Sequence, residues 1–453
     1  MPGKPPLKLL IFVAVLLAVS SAAVVATVAN TDTGAGPPQN GSMGITTGPD
    51  VTIYQLTDTE NYGAVGGIRA YSVGTNSCNI GSEVVNWCDN SGGCGAGLTP
   101  AQHPVIAQNM YRLSEGRFEQ LGLSWLKHGF LSTNTSNPGC VGNNGAGQPT
   151  TCQNPGNSSL LGVGCTDTYG AGLNGSWSWS GPRFEVDSTK GIFPFPASNG
   201  STSSAIDQRI QVEQNDIDPV LNPDARFWVE GHYVVDNDAL ANNGLNNASY
   251  REVSVNASNF NLSFLGSTVR ELSAIHAWQA ADPSVEIVNV DFVSGAGAVV
   301  ERFEAARSVT FDGGVYTTVI AIRNMNSDRA ARRLLAQFGG SASISDGGFN
   351  DVDYHSGEPW APTDWTISSD SDSIEWFTDT FGVDPNANAL RWSTMYTFWF
   401  DSTADPTMAT YSLDLFKPGS PSSVTIPFSG MSPVIFTDGF ESGDLTSWSS
   451  STP

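Results

Sequence analysis

All six cysteines lie between Cys78 and Cys165, at Cys78, Cys88, Cys94, Cys140, Cys152 and Cys165. Their spacings lack the two close Cys pairs a structural zinc site uses. An even set in an exported chain predicts three disulfides, with the pairing left open. The loops around them, 76–97 and 137–156, are rich in Gly and Asn and bury little. Cross-links compensate there by restricting the unfolded chain. Disulfides need an oxidising compartment, and the first residues supply an address. Lys4 and Lys8 precede an apolar run from Leu9 to Val19, and small residues follow up to Ala23, Ala26 and Ala29. Residues 1–29 therefore read as a cleaved signal peptide. No later run is long and apolar enough to span a bilayer, so no stable membrane span is expected after cleavage.

Charge narrows the partners. The 44 acidic and 20 basic residues leave a net charge of −24. A polyanionic partner is bound largely through Lys and Arg, so a nucleic acid is excluded. Charged residues are only 14% of the chain, against roughly 25% in globular domains. The 12 Trp, 22 Phe and 11 Tyr must be buried, which argues for packed cores and against a charged disordered chain.

Residues 30–48 are a Gly/Pro-rich linker. Residues 49–250 form a disulfide-bearing, β-rich, loop-rich half. Runs such as Asn109 to Leu113 and Arg117 to Leu121 flank a Gly-bearing turn. Residues 251–430 have a cleaner pattern. Val288 to Phe292 alternates strictly, and Val315 to Ile322 is β-branched and aromatic, as suits a buried strand. Short strands between turns predict a β-sandwich-like second half. Ser327 to Phe338 reads either as a helix or as a loop followed by a strand. The fold class expected is mainly β, with a separate tail at 431–453.

That tail, from Phe436 to Ser449, resembles an F-x-D-G-F-E-S-G-D-x-x-x-W-S motif common at the ends of exported bacterial proteins. Phrases in the body are similar to a family of large exported bacterial proteins of unknown function. They include GGIRAY from Gly66, HPVIAQNMYRL from His103, GRFEQLGLSWLKHGF from Gly116, LGVGCTDTYGAGLNG from Leu161, DVDYHSGEPW from Asp351 and DPNANALRW from Asp384. The resemblance implies a secreted or cell-surface bacterial protein. It carries over no catalytic residue.

Chemistry has few places to sit. The five histidines are His103, His128, His232, His276 and His355. His103, His232 and His276 read as structural. Asp351, Asp353 and His355 share one face of an extended chain, a donor set suited to a divalent metal. His128, His355 and Glu358 are the candidate acid/base groups. Acidic loops at Asp236 to Asp238, Asp370 to Asp372 and Asp438 to Asp444 point to calcium, held by hard oxygen ligands; a transition metal is the less favoured cofactor. No G-x-S-x-G elbow, HExxH or P-loop occurs. The string from Gly170 to Gly175 spells G-x-G-x-x-G without the strand and helix that motif requires. In the run from Ser176 to Ser180, alternation on an extended strand would put the Trp177 and Trp179 rings on one side, ready to stack on sugar faces.

These readings converge on an exported surface or matrix protein that binds glycans or other surface polymers, with calcium as its expected stabilising ion. The alternative is a secreted metal-dependent hydrolase or oxidoreductase built on Asp351, Asp353, His355 and Glu358.

Overall fold

The computed structural model describes residues 46–89, 93–295, 299–352 and 356–430. The signal peptide expected at 1–29, most of the expected linker at 30–48 and the expected tail at 431–453 therefore lie outside the described residues. The described residues all belong to one compact unit.

Strand signals become strands wherever apolar alternation meets a tight turn. Val51–Val65 turns through Gly66 and Gly67, at φ of 63° and 94°, into Ile68–Asn79. Only glycine takes such conformations without strain. Cys165–Tyr169 and Ile210–Glu213 also pair with Ile68–Asn79. A second, seven-stranded sheet is built around Val105–Ser114, which pairs with Arg117–Leu123, Leu126–His128 and Arg226–Val234. It continues through Ala248–Val255 to Leu262–Val269. Val51, Ile53, Tyr71, Val73, Trp87, Ile106, Val229 and Tyr233 fill the core these two sheets share.

The second half repeats the logic with two five-stranded sheets. One has Glu286–Val293, Val300–Asp312, Val315–Asn324, Met395–Ser402 and Ile344–Asn350 in that order. The other runs Thr366–Ser369, Ser373–Phe377, Ala331–Gln337, Thr410–Leu415, Ser423–Ile426. Ile320, Ile322, Leu334, Trp376, Phe398 and Leu413 pack between them. The segment from Ser327 to Phe338 is thus a loop followed by a strand. Leu334 and Ala336 are fully buried, at the two-residue spacing of a strand face.

The halves are joined by side chains. Tyr111, Phe118 and Trp228 of the first pack against Trp278, Ala306, Val319 and Met395 of the second. Beneath them Arg323, fully buried, is held by Glu230 at 2.9 Å and Glu304 at 3.2 Å. Glu230 also accepts bonds from Asn109, Tyr111 and the Ala274 N–H.

All six cysteines are paired, as Cys78–Cys140, Cys88–Cys94 and Cys152–Cys165. Such bonds persist under oxidising conditions. Among the described residues no helix is long and apolar enough to cross a membrane.

Candidate functional site

Asp353 and His355 lie outside the described residues. The other members of that cluster face different partners. Asp351 accepts a hydrogen bond from the Asn388 side-chain amide. Glu358 accepts from the backbone N–H of Arg183 at 2.5 Å and of Phe184 at 3.0 Å. Burial pushes the Glu358 carboxyl up to about 8, against the downward pull of those two N–H groups and the Arg183 guanidinium. Among the described residues no three His, Cys, Asp or Glu side chains are grouped to hold a metal.

His128 is buried, and its Nδ1 lies 2.9 Å from Nε2 of His103. The Nδ1 of His103 faces two carbonyls, Cys88 at 3.1 Å and Pro100 at 2.9 Å. It must donate there, so His103 Nε2 accepts the proton that His128 donates. Phe193 and Phe195 enclose the pair. Burial, with the neighbouring His103 and Lys127, lowers His128 to about 3, which keeps it neutral. The sequence offered no sign of this pairing, because His103 stands two residues ahead of Val105–Ser114 and reaches His128 only through that strand's pairing with Leu126–His128.

The Trp pair departs from the alternation expected of it. Residues 177–179 form a bend and turn, and Trp179 has φ of 57°. The two rings consequently take different neighbours. Trp179 stacks on Phe195 at 5.7 Å. The Trp177 indole N–H donates to the Asp207 carbonyl at 3.0 Å, and the Arg209 guanidinium sits 4.9 Å from its ring centre.

Beside Trp177 lies a cleft that sequence reasoning missed. It has a volume of about 370 Å³ and is lined by Trp125, Phe184, the 198–201 loop, Asp207, Gln208, Gln211, Ser356 and Gly357. Local chemistry shapes each wall. Trp125 follows the strand Arg117–Leu123, and its backbone N–H donates to the Gln208 carbonyl at 3.1 Å. Gly200 lets the loop lie on the indole: a Cβ there would stand 2.2 Å from the Trp125 ring. Asp207 folds the loop by accepting from Ser201 Oγ at 2.6 Å and from the N–H groups of Ser203 and Ser204. Gln208 donates to the Ser201 carbonyl at 2.8 Å. On the far side the Ser356 hydroxyl lies between the carbonyls of Leu123 and Arg209, at 3.1 and 2.9 Å.

The cleft offers one exposed ring, Phe184 at 48%, and one nearly covered ring, Trp125 at 6%. Two polar atoms in its lining are buried without a partner: the Trp125 indole N–H, a donor, and Gln208 Oε1, an acceptor. Such groups cost free energy unless a ligand or water satisfies them. Glu358 braces the floor by fixing the Arg183–Glu185 turn that carries Phe184. Arg183, fully buried, gives its guanidinium to the carbonyls of Ser124, Gln108 and Ser393 and to Asn109.

The acidic loops are largely occupied internally. Asp236 accepts from Asn86 and Gln102, and Asp370 from the N–H groups of Asp372 and Ser373. Asp438 to Asp444 lies outside the described residues. No protein-family model matches the chain, and no curated protein matches it.

Proposed function

We propose that the chain is an exported surface or matrix protein of a bacterium, and that it binds a glycan or a similar hydroxyl-rich surface polymer in the cleft beside Trp125. The observation that carries this reading is the pairing of aromatic surface with unpaired polar atoms of both kinds. A sugar ring presents an apolar face and a fringe of hydroxyls, each both donor and acceptor. Phe184 would cover the face, while the Trp125 N–H and Gln208 Oε1, both covered in the free protein, would bond hydroxyls once the 198–201 loop lying on them shifts. Trp177 lies outside the lining and reaches it only through its bond to the Asp207 carbonyl. A volume of about 370 Å³ is within the range of ligand pockets, and suits one or two sugar units of a longer polymer.

Support for the enzyme alternative is thin by comparison. Both Glu358 oxygens are taken by backbone N–H groups, which makes the residue a brace for the cleft floor rather than a proton donor in it. Export rests on the signal-like first 29 residues, together with the three disulfides.

The test is a binding screen of the purified mature protein on immobilised bacterial and plant polysaccharides, repeated with Phe184→Ala and Trp177→Ala. Phe184 is half exposed, so its removal leaves the core intact. Loss of retention by Phe184→Ala supports the cleft. Equal retention by all three proteins would place the polymer elsewhere.

A further inference from the structure

The charge around the cleft beside Trp125 decides which polymers it can hold. Among the described residues its lining contains no Lys, Arg or His, and Asp207 is its one ionisable side chain. Burial opposes ionisation of Asp207, but the bonds it accepts from Ser201 Oγ and the Ser203 and Ser204 N–H groups outweigh that and hold its carboxyl below the usual range. A second acid touches the same loop from behind. Glu185 accepts from the Ser198 N–H at 3.1 Å and from the Ser198 hydroxyl.

The neighbouring cations are committed elsewhere. Arg209 donates to the Gly175 carbonyl at 2.9 Å and to the Ala205 carbonyl, and its guanidinium lies 3.5 Å from the Tyr62 ring centre. Arg183, beneath the floor, is fully buried and spends its donors on protein oxygens. The chain as a whole carries a net charge of −24. A uronate, sulfate or phosphate group entering the cleft would therefore meet like charge and lose water without gaining a cation, and an unpaired charge is costly to bury. The two acids do not invite an ammonium group either, because their bonds fold the 198–208 loop.

What remains for a ligand is uncharged: the Phe184 ring, the Trp125 indole N–H and the Gln208 amide oxygen. Given that the cleft is a glycan site, as proposed above, we infer that its substrate class is the uncharged polysaccharides, and that it rejects both polyanionic and polycationic ones.

The experiment is retention of the purified chain on neutral polysaccharides (glucan, mannan, xylan and galactan), each beside its own carboxymethylated form. It is run at about pH 8, where an ordinary imidazole is uncharged. At least one neutral polymer should retain the wild type, with no more than about a twofold change up to about 0.5 M sodium chloride, since screening has no charge pair to weaken. The carboxymethylated form of that polymer should bind about fivefold or more weakly, the scale of one like-charge contact in water. Asn199→Lys sets a cation on an exposed part of the lining and should narrow that gap. A gap that Asn199→Lys leaves unchanged would mean that bulk rather than charge excludes the carboxymethyl groups, and would overturn the inference. Retention of a carboxymethylated polymer as strong as that of its parent, and lost in Phe184→Ala, would overturn it too while leaving the glycan site standing. So would retention confined to a glucosamine polymer and abolished by salt. Retention by none of the polymers, or retention indifferent to Phe184→Ala, would refute the glycan site itself and this inference with it.

Discussion

Glu358 gives a sharp quantitative test of how the cleft floor is held. Its carboxyl ordinarily titrates near 4.5, and burial raises it to about 8 in the folded chain. A group raised on folding contributes its stability below the unfolded value and loses it as pH climbs to the folded value. At pH 7 the shift of about 2.5 units operative there corresponds to roughly 3 kcal/mol of lost stability, and at pH 8 to roughly 4. Glu358→Gln removes this titration. It also replaces one accepting oxygen with an amide NH2, so either the Arg183 or the Phe184 N–H loses its partner at a cost of about 1–3 kcal/mol. The two stability curves must therefore cross. Wild type should be the more stable at pH 5 by up to about 2 kcal/mol, since about 1 kcal/mol is already lost there, and the Gln variant the more stable at pH 8 by about 1–3 kcal/mol. Urea unfolding of both proteins at half-unit steps from pH 5 to pH 8 reads this directly. A difference that stays flat with pH would mean that Glu358 does not titrate in this range. A difference that grows in favour of wild type would mean that the two N–H groups hold an ionised carboxylate, and the assignment of burial as the dominant effect would be wrong.

Two further outcomes follow from the same balance of burial and pairing. His128 is lowered from 6.5 to about 3, so its contribution is present above pH 6.5 and is lost as pH falls. Relative to His128→Asn, wild type should lose about 3 kcal/mol between pH 6.5 and pH 4 by urea unfolding, and no change would refute the neutral pair. Arg323→Met would leave Glu230 and Glu304 buried without their cation, costing about 3–5 kcal/mol in the same assay; a loss under 1 kcal/mol would show that the acids are protonated or hydrated.

What the chain displayed locally was readable, and what depended on distant partners was not. Val288 to Phe292 alternates because one face of Glu286–Val293 meets the core, and Val290 is indeed 4% exposed. Val319 to Ile322 is apolar throughout and buried because its strand lies centrally in a sheet, whereas Val315 to Thr317, at the strand's start, are partly exposed. Ser327 to Phe338 resisted a single reading because Arg332 and Arg333 sit beside each other in a strand. Both reach Asp414 on the neighbouring strand, which no local period reveals. Trp177 and Trp179 looked like strand residues, but Trp179 enters the left-handed region and breaks the alternation. The cleft escaped notice for a topological reason. Trp125, Phe184, Gln208 and Gly357 are far apart along the chain and are brought together by the 198–208 loop crossing the end of a strand.

The central claim is that a hydroxyl-rich polymer satisfies the unpaired indole N–H of Trp125. The direct measurement is the 15N–1H signal of that indole group, assigned by its absence in Trp125→Phe, followed during titration with an oligosaccharide fragment of a retained polymer. Binding in the cleft should shift the Trp125 signal saturably and leave the Trp179 indole unmoved. Saturable binding that leaves the Trp125 signal in place would contradict it.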